Sequence, residues 1–223
     1  MKNIIFIAPP AAGKGTQSKL LSEKYNIPHI STGDLLRDEI NKGTQLGNNI
    51  KKDMEQGNLI TDNVVLNLLE QRLIKSDCKD GYILDGYPRN VSQAIAYDNL
   101  LSKINKDLGV VIFLDIDKNL ALERTISRVI CPNCGASYNL LIEDVKPKSD
   151  GICDRCSSKL KTRNDDNEET FLKRFDTYLE KTSELISYYQ EKKVLKTIKV
   201  IKEKSAMDIF MEIEEILKRQ WSV

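Results

Sequence analysis

Four cysteines stand in two close pairs that could together hold one metal ion. Two residues separate Cys131 from Cys134 and Cys153 from Cys156, and eighteen residues separate the pairs. This spacing is typical of a four-thiolate zinc site, because each short turn brings two sulfurs within reach of one tetrahedral ion. Four cysteines would close the coordination shell, which indicates a structural rather than a catalytic zinc ion. Two disulfides or a chance pairing of cysteines are the alternatives.

A second chemical signal is a loop of small residues that follows the apolar run at residues 3–8. Gly13 and Lys14 match the core of the Walker A pattern G-x-x-x-x-G-K-[ST], between a predicted strand and a predicted helix. Backbone N–H groups of such a loop surround phosphate oxygens, and its lysine reaches the β- and γ-phosphates. The residues that would bind the triphosphate are Ala11, Ala12, Gly13, Lys14, Gly15 and Thr16. The alternative is an ordinary strand-to-helix turn with a surface lysine.

The elements that must position these residues alternate between strands and helices. Strands are predicted at residues 3–8, 82–85, 110–115 and 194–200, and helices at 14–25, 63–75, 118–129, 166–192 and 206–221. Continuous apolar runs such as the third strand suit parallel strands that are covered on both faces. The alternation predicts an α/β fold, with a P-loop NTPase-type parallel sheet flanked by helices.

Two regions interrupt this alternation. Residues 31–60 have helical character but no predicted strand, and residues 127–166 carry the cysteines together with prolines and glycines. We predict that both are insertions over the carboxyl edge of the sheet, where α/β proteins bind ligands. The predicted core domain then comprises residues 1–30, 61–126 and 167–223.

Composition narrows the classes of function. Hydrophobic residues make up 40% of the chain and charged residues 30%, which suits a core with a well-hydrated surface. The formal net charge of +1 gives no broad basic field, so nucleic acid is not the expected partner. No apolar run is long enough to predict a membrane span, and the N-terminus lacks the pattern of a secretory signal. We expect a monomer in a reducing cytoplasm, where metal-bound thiolates are favoured over disulfides.

Several separated motifs occur in a fixed order along nearly the whole chain. They are the phosphate loop, residues 30–37 (ISTGDLLR), residues 84–89 (LDGYPR) with Gln93, and residues 163–169 (RNDDNEE). With the four cysteines, they resemble the adenylate kinases, in the form whose long lid carries a structural zinc ion. The resemblance implies reversible phosphoryl transfer, ATP + AMP to two ADP, with Mg²⁺ on the triphosphate. It also implies an AMP-binding insertion at 31–60 and a zinc-bearing lid at 127–166, which close over the nucleotides and exclude water.

The resemblance implies roles for single residues as well. Phosphoryl transfer is catalysed mainly by positioning and charge stabilisation, so arginines are expected to converge on one site. The catalytic residues implied are Lys14, Asp85, Arg89, Arg124, Arg128, Arg163 and Arg174. Of these, Arg124 and Arg128 are expected one helical turn apart, and Asp85 would hold Mg²⁺ through water. The residues implied for AMP are Thr32, Gly33, Arg37, Asn58, Leu59, Ile60, Gly86, Arg89, Gln93, Arg163 and Arg174. Those implied for ATP, besides the phosphate loop and Arg124, are Ser137, Tyr138 and Lys204. Asp165 and Asp166 would hold the closed lid against arginines.

The phosphate loop departs from the family at Ala8 and Ala11, where the family has glycines. An alanine at positive φ costs about 1 kcal/mol or more, and about 1.4 kcal/mol corresponds to a tenfold loss of affinity. We nevertheless expect an active enzyme.

Two alternatives keep some of these motifs. A GTP:AMP phosphotransferase of the same fold shares nearly all of them. A zinc-ribbon nucleic-acid-binding protein with a degenerate nucleotide fold would use the lysines of the cysteine region. That region, however, has Tyr138 as its only aromatic residue, whereas nucleic-acid surfaces usually interleave several.

Overall fold

The computed structural model describes residues 2–55, 60–163 and 166–221 of the 223-residue chain. Its strands are β1 (Lys2–Ile7), β2 (His29–Ser31), β3 (Gly81–Asp85), β4 (Val110–Ile116), β5 (Arg128–Ile130), β6 (Ser137–Asn139) and β7 (Leu195–Val200). Five of them form one parallel sheet in the order β2-β3-β1-β4-β7. Because all five run in one direction, their carboxyl ends meet at one edge, where the loops that follow β1 and β3 lie side by side.

Helices cover this sheet on both faces. They are α1 (Lys14–Tyr25), α2 (Thr32–Asn41), α3 (Gln45–Glu55), α4 (Asp62–Leu73), α5 (Val91–Lys103), α6 (Lys118–Ile126), α7 (Glu168–Glu191) and α8 (Ala206–Trp221), with short 3₁₀ helices at Ser76–Cys78 and Glu143–Val145. Among the described residues, no helix is both long enough and apolar enough to cross a membrane. The parallel sheet between two helical layers confirms the predicted fold class.

The alternation of side chains along β1 divides the interior into two cores. Ile4 and Phe6 join a cluster with residues of α1, α8 and the first half of α7. Ile5 and Ile7 join a second cluster with residues of α4, α5 and the second half of α7. A strand buried on both faces needs an apolar residue at every position, which explains the unbroken Ile/Phe run that marks it in the sequence.

The predicted elements agree with the structure apart from several additions and one boundary. The four predicted strands are present, but β2, β5, β6 and α5 are additional elements that the sequence pattern did not reveal. The helix predicted at 118–129 is wrong at its C-terminal end, because α6 ends at Ile126 and Arg128 begins β5. The helix ends here because the Ser127 carbonyl accepts the N–H of Leu140 at 3.0 Å and Arg128 pairs with Asn139 of β6.

The cysteine region forms a small module of its own. β5 and β6 pair as an antiparallel hairpin, and isolated bridges join Ile130 to Lys161 and Ile152 to Lys159. A separate apolar cluster, which includes Val129, Tyr138 and Leu160, packs around the cysteines. The module therefore has little core, as expected for a segment stabilised by a metal ion.

Candidate active site and metal centre

The phosphate loop connects β1 to α1 at the carboxyl edge of the sheet. Gly13, the residue before α1, has φ 97°, a conformation that glycine adopts without strain. The Lys14 ammonium folds back over the loop and donates to the carbonyl oxygen of Ala8 at 3.0 Å and of Pro9 at 3.5 Å. The lysine is thus placed above the loop before any nucleotide binds.

The two alanines of this loop differ in backbone conformation. Ala11 has φ 59°, in the left-handed region that costs an L-residue about 1–2 kcal/mol. Ala8 is not among the described residues with positive φ, so its methyl group adds no such strain. Only one of the two departures from the glycine pattern therefore strains the backbone.

Asp85 ends β3 beside this loop. It pairs in register with Phe6 of β1 and Ser31 of β2, and its carboxylate lies 3.8 Å from His29 Nε2. Burial alone would raise the pKa of Asp85, but the neighbouring His29 and Lys14 outweigh burial and lower that pKa. Asp85 is therefore an ionised carboxylate next to the predicted phosphate site.

Positive charges converge on Lys14. Burial lowers the pKa of Lys14, against the opposing charge of Asp85. The charges of three arginines lower this pKa further, and these are Arg89, Arg128 and Arg174. They come from three segments far apart in sequence, so the fold brings three of the other predicted catalytic cations close enough for their charges to act on Lys14.

Arg128 joins the base of the cysteine module to the segment that leads into α7. Its guanidinium donates through Nε to Asp166 Oδ2 at 2.8 Å and through a second nitrogen to Asp166 Oδ1. The Asp166 carboxylate is almost completely buried, which suits a two-point pair with an arginine. Arg163 is exposed, and its carbonyl accepts the Asp166 N–H at 3.1 Å. Asp165 lies outside the described residues.

The predicted AMP residues lie around the carboxyl ends of β2 and β3. Thr32 is buried, and a Cβ added to Gly86 would stand 2.8 Å from its hydroxyl oxygen, so only glycine fits beside it. The Arg37 guanidinium pairs with Asp34 and extends over Gly33. Ile60 is half-buried, whereas Asn58 and Leu59 lie outside the described residues.

Arg89 and Gln93 complete this group. Arg89 Nε donates to the Gly86 carbonyl at 2.8 Å, which places the guanidinium at the turn after β3. Gln93 Oε1 accepts the Arg89 backbone N–H at 2.7 Å, and Gln93 Nε2 donates to Asp62 at 2.7 Å. The side chain of Gln93 is therefore held at both ends of its amide.

A cavity of about 340 Å³ lies between α6, the 3₁₀ helix of the cysteine module and the loop before α8. Its lining includes Leu120, Glu123, Arg124, Leu141, Ile142, Glu143, Asp144, Lys202, Glu203, Lys204 and Ser205. Arg124 is 8% exposed, its Nε has no hydrogen-bond partner in the described structure, and burial lowers its pKa. Lys204 pairs with Glu212 on α8. Two of the predicted ATP residues therefore share one cavity.

Of the predicted lid residues, Ser137 is exposed and Tyr138 is turned towards the cysteines. The Tyr138 hydroxyl lies 3.4 Å from Cys153 Sγ and accepts the Asp154 N–H at 2.9 Å. The next residue, Asn139, donates from Nδ2 to the Arg124 carbonyl at 2.8 Å. The strand β6 thus connects the cysteine cluster to the cavity that contains Arg124.

The four predicted cysteine ligands lie together. All four sulfurs are within 4.8 Å of one another, and two separations are 3.4 Å (Cys131 to Cys156) and 3.5 Å (Cys134 to Cys153). Four sulfurs about 2.3 Å from one tetrahedral zinc ion stand about 3.8 Å apart, so this donor set fits zinc. All four are free thiols, which corrects the disulfide alternative.

The two cysteine turns have matching backbone hydrogen bonds. Gly135 and Ser157 each donate to the carbonyl of the first cysteine in their turn, at 3.0 Å and 2.9 Å, and both have positive φ. In the second turn, the Arg155 N–H donates to Cys153 Sγ at 3.4 Å, and the Tyr138 hydroxyl lies 3.4 Å from the same sulfur. Ser158 lowers the pKa of Cys156 to about 5, and Tyr138 lowers that of Cys153. Against a hydrogen bond from the Ala136 backbone, burial and the other three cysteines raise the pKa of Cys134 to about 12, so the shifts do not all favour the thiolates that metal binding requires.

Comparison with known proteins identifies the family. The sequence pattern of the family described as Adenylate kinase matches residues 6–194. An adenylate kinase of Clostridium tetani is 44% identical over 215 residues, covering 96% of this chain and 98% of the relative. The chain belongs to the adenylate kinase family. An adenylate kinase of Archaeoglobus fulgidus is 43% identical over 217 residues, with 97% and 98% covered.

Membership of the adenylate kinase family confirms the predicted activity. The chain is a nucleoside monophosphate kinase, a phosphotransferase whose family implies Mg²⁺ together with ATP.

The roles of single residues stay predictions. The structure adds three residues that the sequence patterns did not reveal, namely Asp62 at Gln93, Asn139 at Arg124 and Leu141 at the cavity. No short motif marks them, because each is brought to its partner by tertiary structure.

Proposed function

We propose that the chain catalyses ATP + AMP to two ADP, reversibly, at the carboxyl edge of its parallel sheet. The observation that carries the proposal is the convergence of Arg89, Arg128 and Arg174 on Lys14. Like charges around a desolvated lysine are unfavourable on their own, and phosphate oxygens of two nucleotides would compensate them. Phosphoryl transfer needs such a site, because the protein acts mainly by positioning and by stabilising charge on the transferred group.

The donor half of the site comprises the phosphate loop and the cavity around Arg124. Backbone N–H groups of residues 11–16 and the N-terminus of α1 would bind the triphosphate. Lys14 would exchange the Ala8 carbonyl for phosphate oxygens, since the two are alternative acceptors for one ammonium group. Arg124 and Lys204 would contact the base, with Ser137 and Tyr138 on the side of the lid.

The acceptor half comprises the segments that follow β2 and β3. Arg37 and Arg89 would bind the monophosphate, because a guanidinium makes two parallel bonds to phosphate oxygens. The residues proposed around the base and ribose are Thr32, Gly33, Ile60, Gly86 and Gln93, together with Asn58 and Leu59. Arg163 and Arg174 would reach the same phosphates when the lid closes.

The two metal ions have different roles in this proposal. Asp85 is an ionised carboxylate beside the phosphate loop, and Mg²⁺ is usually held by a carboxylate together with substrate phosphates. Bound Mg²⁺ would neutralise charge on the triphosphate. Zinc would be held by Cys131, Cys134, Cys153 and Cys156, where four ligands leave no position for substrate. Its role is to fold the lid.

We also propose that residues 31–60 and 127–166 are the two closing insertions on a core of 1–30, 61–126 and 167–223. The Arg128–Asp166 pair supports a hinge at the base of the lid, since it ties the start of β5 to the segment that enters α7. We propose a monomer that acts on small nucleotides in the cytoplasm, where four unpaired thiols are stable.

An assay with the purified chain, Mg²⁺, AMP and either ATP or GTP tests this function. We expect ADP from ATP and AMP, with a lower kcat/KM for GTP. A preference for GTP would instead identify a GTP:AMP phosphotransferase, and absence of turnover with either donor, in folded zinc-loaded protein, would contradict the proposal.

A further inference from the structure

We propose that Asp62 is a positioning residue for Gln93, and that it makes the acceptor site selective for bases that carry an amino group beside an unprotonated ring nitrogen. The inference rests on the proposed function, in which Gln93 contacts the acceptor base. It adds the residue that determines which way the Gln93 amide faces.

The backbone of Gln93 is fixed at the start of α5. Its N–H donates to the side chain of Asn90, the residue that caps the helix, at 2.8 Å. Its carbonyl accepts the hydroxyl of buried Tyr87 at 3.2 Å. The side chain therefore projects from a fixed point, and its remaining freedom is rotation about its three side-chain bonds, the last of which turns the terminal amide.

Two partners of opposite type remove that freedom. Gln93 Oε1 accepts the Arg89 N–H at 2.7 Å, and Gln93 Nε2 donates to Asp62 Oδ1 at 2.7 Å. A backbone N–H can only donate and an ionised carboxylate can only accept. A reversed amide would place N–H against N–H at Arg89 and oxygen against oxygen at Asp62. The orientation is thus determined by chemistry at both ends.

The fixed amide presents one remaining lone pair and one remaining N–H to a ligand. Adenine matches this pair, because its 6-amino group donates and its adjacent ring nitrogen accepts. Hypoxanthine carries a carbonyl and a protonated ring nitrogen at the corresponding positions. Its acceptor would face the Gln93 lone pair, and its donor would face the Gln93 N–H. A site built to hydrogen-bond one such edge rejects the reversed edge, because its polar groups are left unpaired. AMP and IMP are therefore matched probes for the orientation of Gln93.

Asp62 could also act only as a stabilising acidic residue at the start of its helix, and the test must distinguish that role from the positioning of Gln93. It is the first residue of α4 and exposed, where an acidic side chain stabilises the helix N-terminus. Such a role would affect the stability of the fold and not the choice of base. A change in the ratio of AMP to IMP turnover is therefore the decisive readout.

The experiment compares wild type, Asp62→Ala, Asp62→Asn and Glu70→Ala with AMP and IMP at saturating ATP. For Asp62→Ala we expect the KM for AMP to rise about fivefold, the effect of losing one exposed hydrogen bond to a charged group. We expect kcat and the KM for ATP to stay within about twofold, and the AMP-to-IMP ratio of kcat/KM to fall by about the same fivefold. Asp62→Asn retains an acceptor oxygen and should restore most of the ratio. Glu70→Ala changes an acidic residue on the same helix as Asp62 and removes its ion pair with Lys103 of α5, and it should match wild type.

An unchanged AMP-to-IMP ratio in Asp62→Ala would overturn the inference. So would equal changes in Asp62→Ala and Glu70→Ala, or a loss of thermal stability with no change in the ratio. Failure of the proposed function is distinguishable, because wild type itself would then fail to phosphorylate AMP.

Discussion

The two halves of the active site differ in how far their side chains are held before nucleotide binds. On the acceptor side, Gln93 bonds to Asp62 and Arg89, and Arg89 bonds to the Gly86 carbonyl. On the donor side, Arg124 is buried while its Nε has no partner in the described structure, and Leu141 at the rim of the same cavity is 66% exposed. The predicted base-contacting side chain of the acceptor side is held by the protein, whereas Arg124 in the donor cavity keeps an N–H that a ligand could complete.

This difference has an energetic meaning. A preorganised side chain loses little entropy on binding, so the acceptor site can select a base at low cost. A buried polar group without a partner lowers the stability of the folded protein until a ligand supplies that partner. The unpartnered group in the donor cavity therefore lowers the stability of the free protein and raises its affinity for ATP. We expect substitutions there to weaken ATP binding more than folding.

The largest effect is expected at Lys14, in the phosphate loop of the donor half. Lys14→Met should lower kcat by about 10²- to 10³-fold, because it removes a preorganised charge at the transferred group. The melting temperature should be equal or higher, because the crowding of like charges is relieved. Steady-state kinetics and thermal unfolding check both. Lys19→Met, on the exposed face of the same helix, is the matched control and should behave as wild type.

Removal of zinc should loosen the donor half and leave the acceptor half largely intact. Cys153→Ser should lower the melting temperature by about 5–10 °C, the shift for a loss of about 2–3 kcal/mol in a chain of this size. The KM for ATP should rise more than the KM for AMP, because β6 connects the cysteines to Arg124. Chelation of the wild-type protein should reproduce both changes, and an unchanged melting temperature would exclude a structural metal.

A smaller effect is expected at Arg124 itself. Arg124→Met should raise the KM for ATP about tenfold, equivalent to about 1.4 kcal/mol, and leave the KM for AMP within about twofold. Thermal stability should not fall, because a buried unpaired group is removed. Arg219→Met, at an exposed position of α8, is the control. Equal changes in the two KM values would contradict a separate donor cavity.

The smallest effect separates the two alanines of the phosphate loop. Ala11→Gly should be more stable than Ala8→Gly by about 1 kcal/mol, because only Ala11 has positive φ. The entropy that a glycine adds to the unfolded chain is the same in both variants and cancels in the comparison. Denaturant unfolding measures the difference, and equal stability of the variants would show that Ala11 is not strained.

The sequence could predict those features that are marked by residues close together in the chain, and not those defined by contacts between distant segments. The strand β4 is marked by its own apolar run, and the cysteine ligands by spacing within two short turns. The strand β2 has three residues and is defined only by pairing with β3, so no periodic pattern revealed it. The helix α5 had a usable signal, with Asn90 as its cap and buried Ala94 and Tyr97 three residues apart.

The same reasoning applies to the site. The positions of Lys14 and Asp85 could be predicted because Lys14 stands in the loop motif after a recognisable strand and Asp85 ends another one. The placement of Arg124 on a helix and Arg128 on a strand could not be predicted, because the helical pattern continues past Ser127. The chain leaves the helix only through its pairing with β6. The bond between Asp62 and Gln93 spans thirty-one positions and follows only from tertiary structure.

The contrast between the two halves is tested most directly by side-chain nitrogen resonances of ¹⁵N-labelled protein, recorded before and after each nucleotide is added. We predict that the Gln93 amide resonances show hydrogen bonding already in the free enzyme, and that the Arg124 Nε–H resonance shifts to a hydrogen-bonded position only when ATP is added. Hydrogen-bonded resonances of both side chains in the free enzyme, or no response of Arg124 to ATP, would contradict the account.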